Sequence, residues 1–202
     1  VLTYKYILGL ERKPFVKLSG LGTRINTPQT RDLISRLNLA AITVLNNKND
    51  VLPLHPDLKE AAILNVGKPE EIEPFDRKMK KYTSFARFQL RKDLPEAEQQ
   101  KLRDSLAAYR RVIVTVTEQR LAPYQSFFAK FAPESPVIYV FYTPAKSMLQ
   151  IQRAVSAAEA VVLAHASRDD VQERVADLLF GKATADGRLS ASIGGLFPTG
   201  SG

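Results

Sequence analysis

The sequence predicts a three-layer α/β/α sandwich with a mainly parallel five- or six-stranded sheet, preceded by a helical arm. Three observations carry that prediction. Residues 61–66, 112–117, 137–142 and 160–164 are short, nearly unbroken apolar runs, and such strands need cover on both faces, as parallel strands do. Segments with helical spacing separate them, so each strand is followed by a crossover, right-handed by the usual rule. Finally, residues 170–193 read as helix, stop, turn and strand. Val171, Val175, Leu178 and Leu179 recur at helical spacing behind Asp169 and Asp170, Gly181 ends the helix, and 185–187 form an Ala-Asp-Gly turn signal. Residues 189–193 then alternate as a strand does, and their short link also permits an antiparallel edge position.

The preceding elements follow in order. Residues 2–10 form the last turns of a helix, with Leu2, Tyr6 and Leu10 on one side and Gly9 near its end. Residues 11–26, with Pro14, Gly20 and Gly22, form a connector. Thr27 caps the next helix, Pro28 takes its first position, and Leu33, Ile34, Leu37, Ala41, Val44 and Leu45 make its apolar stripe until Asn46 and Asn47 close it. Residues 51–54 are extended and turn at Pro56. The middle then reads as strand 61–66, helix 70–81, strand 85–90, helix 95–110, strand 112–117, helix 123–131, strand 137–142, helix 146–155 and strand 160–164. The domain division is therefore 1–55 as arm, 56–193 as sandwich and 194–202 as a Gly-rich linker to a further module.

Composition narrows the function. With 202 residues, 45% hydrophobic and 25% charged, the chain can build one sizeable core. No apolar run approaches the roughly 20 residues of a membrane-spanning helix. The absence of cysteine removes disulfides, thiolate nucleophiles and Cys-based metal sites. His55 and His165 stand far apart and outside any ligand spacing, so no metal or cofactor is expected. A net charge of +8 raises nucleic acid as a partner, but the cations are interspersed with acids. The densest cluster, 77–81, lies late in a helix, where cations complement the dipole. No nucleic-acid partner is predicted.

Three phrases resemble, in order, the C-terminal domain of glycoside hydrolase family 3, closest to its bacterial β-N-acetylglucosaminidase branch. They are LTYKYILGL at 2–10, NLAAITVLN at 38–46 followed by LPL at 52–54, and VADLLFGKATADGRL at 175–189; Ser190 stands where the family usually has proline. The resemblance implies that residues 2–10 end the final helix of an absent (β/α)8 barrel, and that Val1 lies inside that barrel's last element. The barrel of the same polypeptide would be the partner, holding the nucleophilic Asp of a retaining glycosidase. Carbohydrate would be engaged only through that parent, and a serine hydrolase-like module would follow downstream. It also favours a periplasmic or extracellular setting.

No Gly-x-Ser-x-Gly elbow, phosphate loop or His-Glu-x-x-His occurs in the chain. Glu70-Glu71 and Asp169-Asp170 sit at helix starts, where the helix dipole accounts for them. In the β-glucosidase branch a second carboxylate comes from a loop after a strand of this domain, and Glu118 holds the matching position. Leu121, Ala122 and Pro123 lead straight into a helix, so the loop is short, and Glu118 also reads as a solvated strand-end residue. In the N-acetylglucosaminidase branch the acid/base is a barrel histidine, which leaves this domain non-catalytic. The reading is thus a non-catalytic supporting domain; the alternative is a free-standing flavodoxin-like ligand- or nucleotide-binding module.

Overall fold

A computed structural model describes residues 2–10, 18–55, 58, 60–131 and 136–202; the expectations for Val1, Pro14 and the Pro56 turn lie outside them. The chain forms two compact units, Val1–Ile34 and Ser35–Gly202. In the first, α1 (Leu2–Ile7) and α2 (Leu21–Ile25) bury none of their residues. The helix α2 falls inside the stretch read as a connector. Thr27 caps α3 (Pro28–Ala40) as expected, its hydroxyl accepting the Thr30 N–H at 3.1 Å.

The second unit is built on six strands: β1 (Thr43–Asn47), β2 (Ala61–Val66), β3 (Ala86–Leu90), β4 (Arg111–Val116), β5 (Val137–Phe141) and β6 (Ala160–Leu163). Their order in the sheet is β1-β6-β5-β4-β2-β3, all parallel except β1, which runs antiparallel to β6. Period-two alternation sorts the buried side chains into two cores. Val112, Val114 and Val116 of β4 and Tyr139 and Phe141 of β5 face one side; Ile113, Ile138 and Val140 face the other.

Helices α5 (Glu96–Ala107), α6 (Gln125–Lys130) and α7 (Gln152–Ala157) cover the first side through Leu106, Phe127, Phe128 and Val155. On the second, α4 (Glu73–Met79) and α8 (Asp169–Leu179) contribute Phe75, Met79, Val171, Val175 and Leu179. The predicted three-layer sandwich is the fold observed. Gly181 ends α8 at φ 67°, where the Lys182 N–H reaches the Asp177 carbonyl at 2.8 Å and the Gly181 N–H the Leu178 carbonyl at 3.0 Å, closing the last turn.

The structure also corrects the helix read across 27–46 and the strand read at 189–193. The helix read across 27–46 stops at Ala40, and Thr43–Asn47 is a strand. Its apolar positions fit both periods, but the β-branched residues Ile42, Thr43 and Val44 and the open edge of β6 favour pairing. The Asn47 side chain then clamps the following turn through the Leu52 N–H and carbonyl, each at 2.9 Å. Conversely, residues 189–193 do not join the sheet, because β1 already occupies the edge beside β6. They meet the chain's own end instead: the Leu189 N–H bonds the Ser201 carbonyl at 2.9 Å, and Ile193 forms an antiparallel bridge with Phe197. Leu189, Ile193 and Phe197 are all buried in the first core, so residues 194–202 return against the domain.

Candidate functional site

Parallel strands deliver their carboxyl ends to one edge of the sheet, and ligands of open α/β sheets bind there, where strand order reverses. Here the order reverses at β2, which has β3 on one side and β4 on the other. A cleft of about 500 Å³ opens along that edge. Thr117 and Gln119 line it after β4, Tyr142 and Pro144 after β5, and His165 and Ser167 after β6. The starts of two helical segments complete the wall with Glu70, Glu71 and Asp169.

A buried amide holds these parts together. Gln172, 1% exposed, accepts the Phe75 N–H at 3.2 Å and donates to the Glu71 carbonyl at 2.8 Å and the Ser167 hydroxyl at 3.1 Å. One side chain of α8 thereby fixes both the start of α4 and the loop after β6. Beside it, His165 adopts φ 62°, and the Ala166 N–H bonds the Ala164 carbonyl at 2.7 Å, a tight γ-turn that side-chain-bearing residues adopt rarely. Desolvation at the cleft wall lowers the His165 pKa from its ordinary value, so the ring is neutral at neutral pH.

The carboxylates read from the sequence separate into distinct roles. Glu71 sits in the 3-10 turn Pro69–Ile72, where its carboxylate accepts the Lys68 N–H at 3.5 Å. Asp170 takes hydrogen bonds from the Ser35 hydroxyl, Arg168 and its neighbour's N–H. Burial raises its pKa, and these bonds outweigh that and lower it overall. Glu70 and Asp169 have no hydrogen-bond or ion-pair partner among the described residues.

Glu118 lies after β4 as expected, but it is not part of the cleft lining. Its carboxylate accepts the Arg120 N–H at 3.0 Å, a local turn bond. Its charge is felt at Tyr124 in the opposite helical layer, whose pKa is raised first by burial and then by Glu118. Sequence reasoning missed Tyr142 and Gln172 as parts of a site. The only available signal was their position, just beyond a strand and inside a helix start.

Among the described residues no cluster of His, Cys, Asp or Glu is arranged to hold a metal ion. None of the described helices is long and apolar enough to cross a membrane.

No family model matches the sequence, and no curated protein matches it. Solved structures do. A fungal multi-domain glycoside hydrolase family 3 β-N-acetylglucosaminidase aligns over 91% of this chain and 21% of its own, at 16% identity and a TM-score of 0.68. A β-glucoside phosphorylase aligns over 91% and 35%, at 16% identity and a TM-score of 0.62. A β-glucosidase from Listeria innocua, in complex with laminaribiose, aligns over 95% and 31%, at 16% identity and a TM-score of 0.61. The chain therefore has the fold of an α/β domain carried by larger carbohydrate-active proteins. That fold occurs in enzymes of glycoside hydrolase family 3, and the chain spans about a third or less of their length.

Proposed function

We propose that this chain is the C-terminal domain of a glycoside hydrolase family 3 enzyme, of β-N-acetylglucosaminidase or β-glucosidase type, and takes no part in bond breaking. The observation that carries this reading is the alignment of 91–95% of the chain with one segment of such enzymes, leaving most of each enzyme unmatched. The three sequence phrases resembling the family support it independently of the fold.

The unmatched part would include a (β/α)8 barrel, the partner of this domain. In the parent, an Asp of the barrel attacks the anomeric carbon while a general acid protonates the departing oxygen. Water then resolves the glycosyl-enzyme, with retention of configuration. The supporting domain would bury the barrel's flank with its N-terminal apolar residues, of which Leu2, Tyr4, Tyr6 and Leu8 are exposed. Glu118, held by its local turn, would at most approach the sugar cleft from outside the reacting centre. A downstream serine hydrolase-like module remains part of the proposal through family analogy.

The competing nucleotide-binding reading fares worse on electrostatics. The strand-end cleft presents three carboxylates and neither Lys nor Arg, so a phosphate group there would meet repulsion. To test the proposal, the intact polypeptide and this chain alone are assayed on aryl N-acetyl-β-glucosaminides and aryl β-glucosides. Turnover by the former only is expected. Turnover by the isolated chain, or an intact polypeptide inert on both substrates, overturns it.

A further inference from the structure

Asp186-Gly187 is the one place in the chain where Asp or Asn precedes glycine. Glycine lacks a Cβ, so nothing on it shields its own nitrogen from a carboxyl on the residue before. Asp186 is exposed and Gly187 is buried, which puts the carboxyl on a solvent-facing residue and the amide on a packed one.

Three contacts hold that amide. The Gly187 N–H donates to the Ile42 carbonyl. The Ala41 carbonyl and Thr43 Oγ1 crowd the Gly187 Cα and leave no room for a methyl group. Gly202 lies so near the Gly187 carbonyl that a Cβ on it would overlap that oxygen. An amide both hydrogen-bonded and packed gives up its proton only when its surroundings open. These contacts sit at the antiparallel edge of the sheet, where β1 is the outermost strand and its pairing with β6 is irregular between Val44 and Asn46.

We infer that Asp186-Gly187 is a self-modification site gated by this contact: opening of the edge exposes the peptide to conversion into an isoaspartyl linkage, after which the edge no longer closes. Once open, the Gly187 nitrogen attacks the Asp186 Cγ. An N–Cγ bond forms, the Cγ–OH bond breaks, and the amide proton and hydroxyl leave as one water, producing a cyclic imide. Water then adds back and breaks one of the two N–C bonds of the imide. Breaking N–Cγ restores aspartate. Breaking the other routes the chain through Cγ and leaves the former main-chain carbonyl as a carboxylate. No oxidant or partner is required. The isoaspartyl chain carries one more backbone atom before the Gly187 nitrogen, and a site without space for one added carbon on Gly187 does not accept a lengthened main chain there. The inference rests on the unit Ser35–Gly202 alone and is independent of the glycosidase reading.

The test incubates the 202-residue chain at neutral pH and about 37 °C in heavy-oxygen water, folded in buffer and unfolded in urea. Isoaspartate at position 186 is counted by mass spectrometry of the separated isomeric peptides, and each imide hydrolysis adds one heavy oxygen. Accumulation in urea is expected, with a rate in buffer lower by about tenfold or more. Ile42→Val loosens the segment that carries the acceptor carbonyl and should speed the reaction in buffer. Leu106→Val, in the opposite core, should leave the rate unchanged, with both variants folded by circular dichroism. The isoaspartyl chain, isolated by chromatography, should have a lower thermal midpoint than the parent. No isoaspartate in urea, equal rates in buffer and urea, no acceleration by Ile42→Val, equal acceleration by Leu106→Val, or an unchanged midpoint of the isoaspartyl chain would each overturn the inference.

Discussion

Gly187 lies against the backbone that precedes β1: its N–H donates to the Ile42 carbonyl at 3.1 Å, and a Cβ at that position would stand 2.6 Å from the same oxygen. The Ala41 carbonyl and Thr43 Oγ1 would be 2.7 and 2.5 Å away. This approach joins the segment after α8 to the antiparallel edge of the sheet, so the glycine is demanded by packing, and the turn chemistry alone does not explain it.

Gly187→Ala should therefore destabilise the domain by about 1–3 kcal/mol, the usual cost of forcing atoms into a filled space. At this chain length that lowers the thermal midpoint by roughly 2–4 °C per kcal/mol, which differential scanning calorimetry would resolve. A variant as stable as the parent would show that the two segments separate easily.

Gln172→Leu should cost about 1–3 kcal/mol for each buried group it leaves unpaired. The Phe75 N–H is the main one, since Gln172 is its side-chain partner across the two helices. A lowered urea midpoint with an unchanged slope is the expected result. Hydrogen exchange should increase first at the start of α4 and in the loop after β6, which the same amide ties together.

Phe127 sits fully buried in an aromatic group with Phe128 and Phe131, with the Arg103 guanidinium 5.6 Å above its ring. Phe127→Ala should cost about 3–5 kcal/mol, combining lost transfer energy and a residual cavity. That is a large share of the 5–15 kcal/mol typical of a domain, so extensive unfolding near 37 °C is the expected reading by circular dichroism.

Alkaline stability should depend on Tyr82. Its hydroxyl donates to Asp177 and its ring stacks on Phe180 with centroids 4.5 Å apart. Burial, the hydrogen bond to Asp177 and the charge of Asp177, in that order, raise its pKa from 10.0 to about 12. A raised acid pKa means that the folded state holds its proton longer than the unfolded chain. The contribution is therefore complete below pH 10 and lost as pH climbs from 10.0 through about 12. Tyr82→Phe keeps the stacking and removes the titrating group. Its thermal midpoint should fall less steeply than the parent's across that window, although buried Tyr139 and Tyr142, also raised, will keep some slope in both proteins.

Asp177 contributes on the acid side. Burial raises its pKa, but the hydrogen bonds from Tyr82 and Lys78 outweigh burial and lower it overall, so its stabilisation disappears as pH falls below the ordinary carboxylate range.

The amino-acid order by itself determined the layers and the strand direction. Apolar runs such as 61–66 and 112–117 leave no polar face for solvent, and the helices between them supply the cover. It also determined the stop after α8, because Gly181 and the turn behind it act through local conformation.

Tertiary structure decided which segment closes the sheet. Residues 41–47 and 189–193 both carry strand-compatible patterns, and one free edge beside β6 accepts only one of them. It likewise decided the cleft, since Glu70 follows β2, Tyr142 follows β5, and His165 and Asp169 follow β6, and these stretches meet because parallel strands end together. Local periodicity reports what a segment can bury; which neighbour it buries against is set by competition among segments for the same surface.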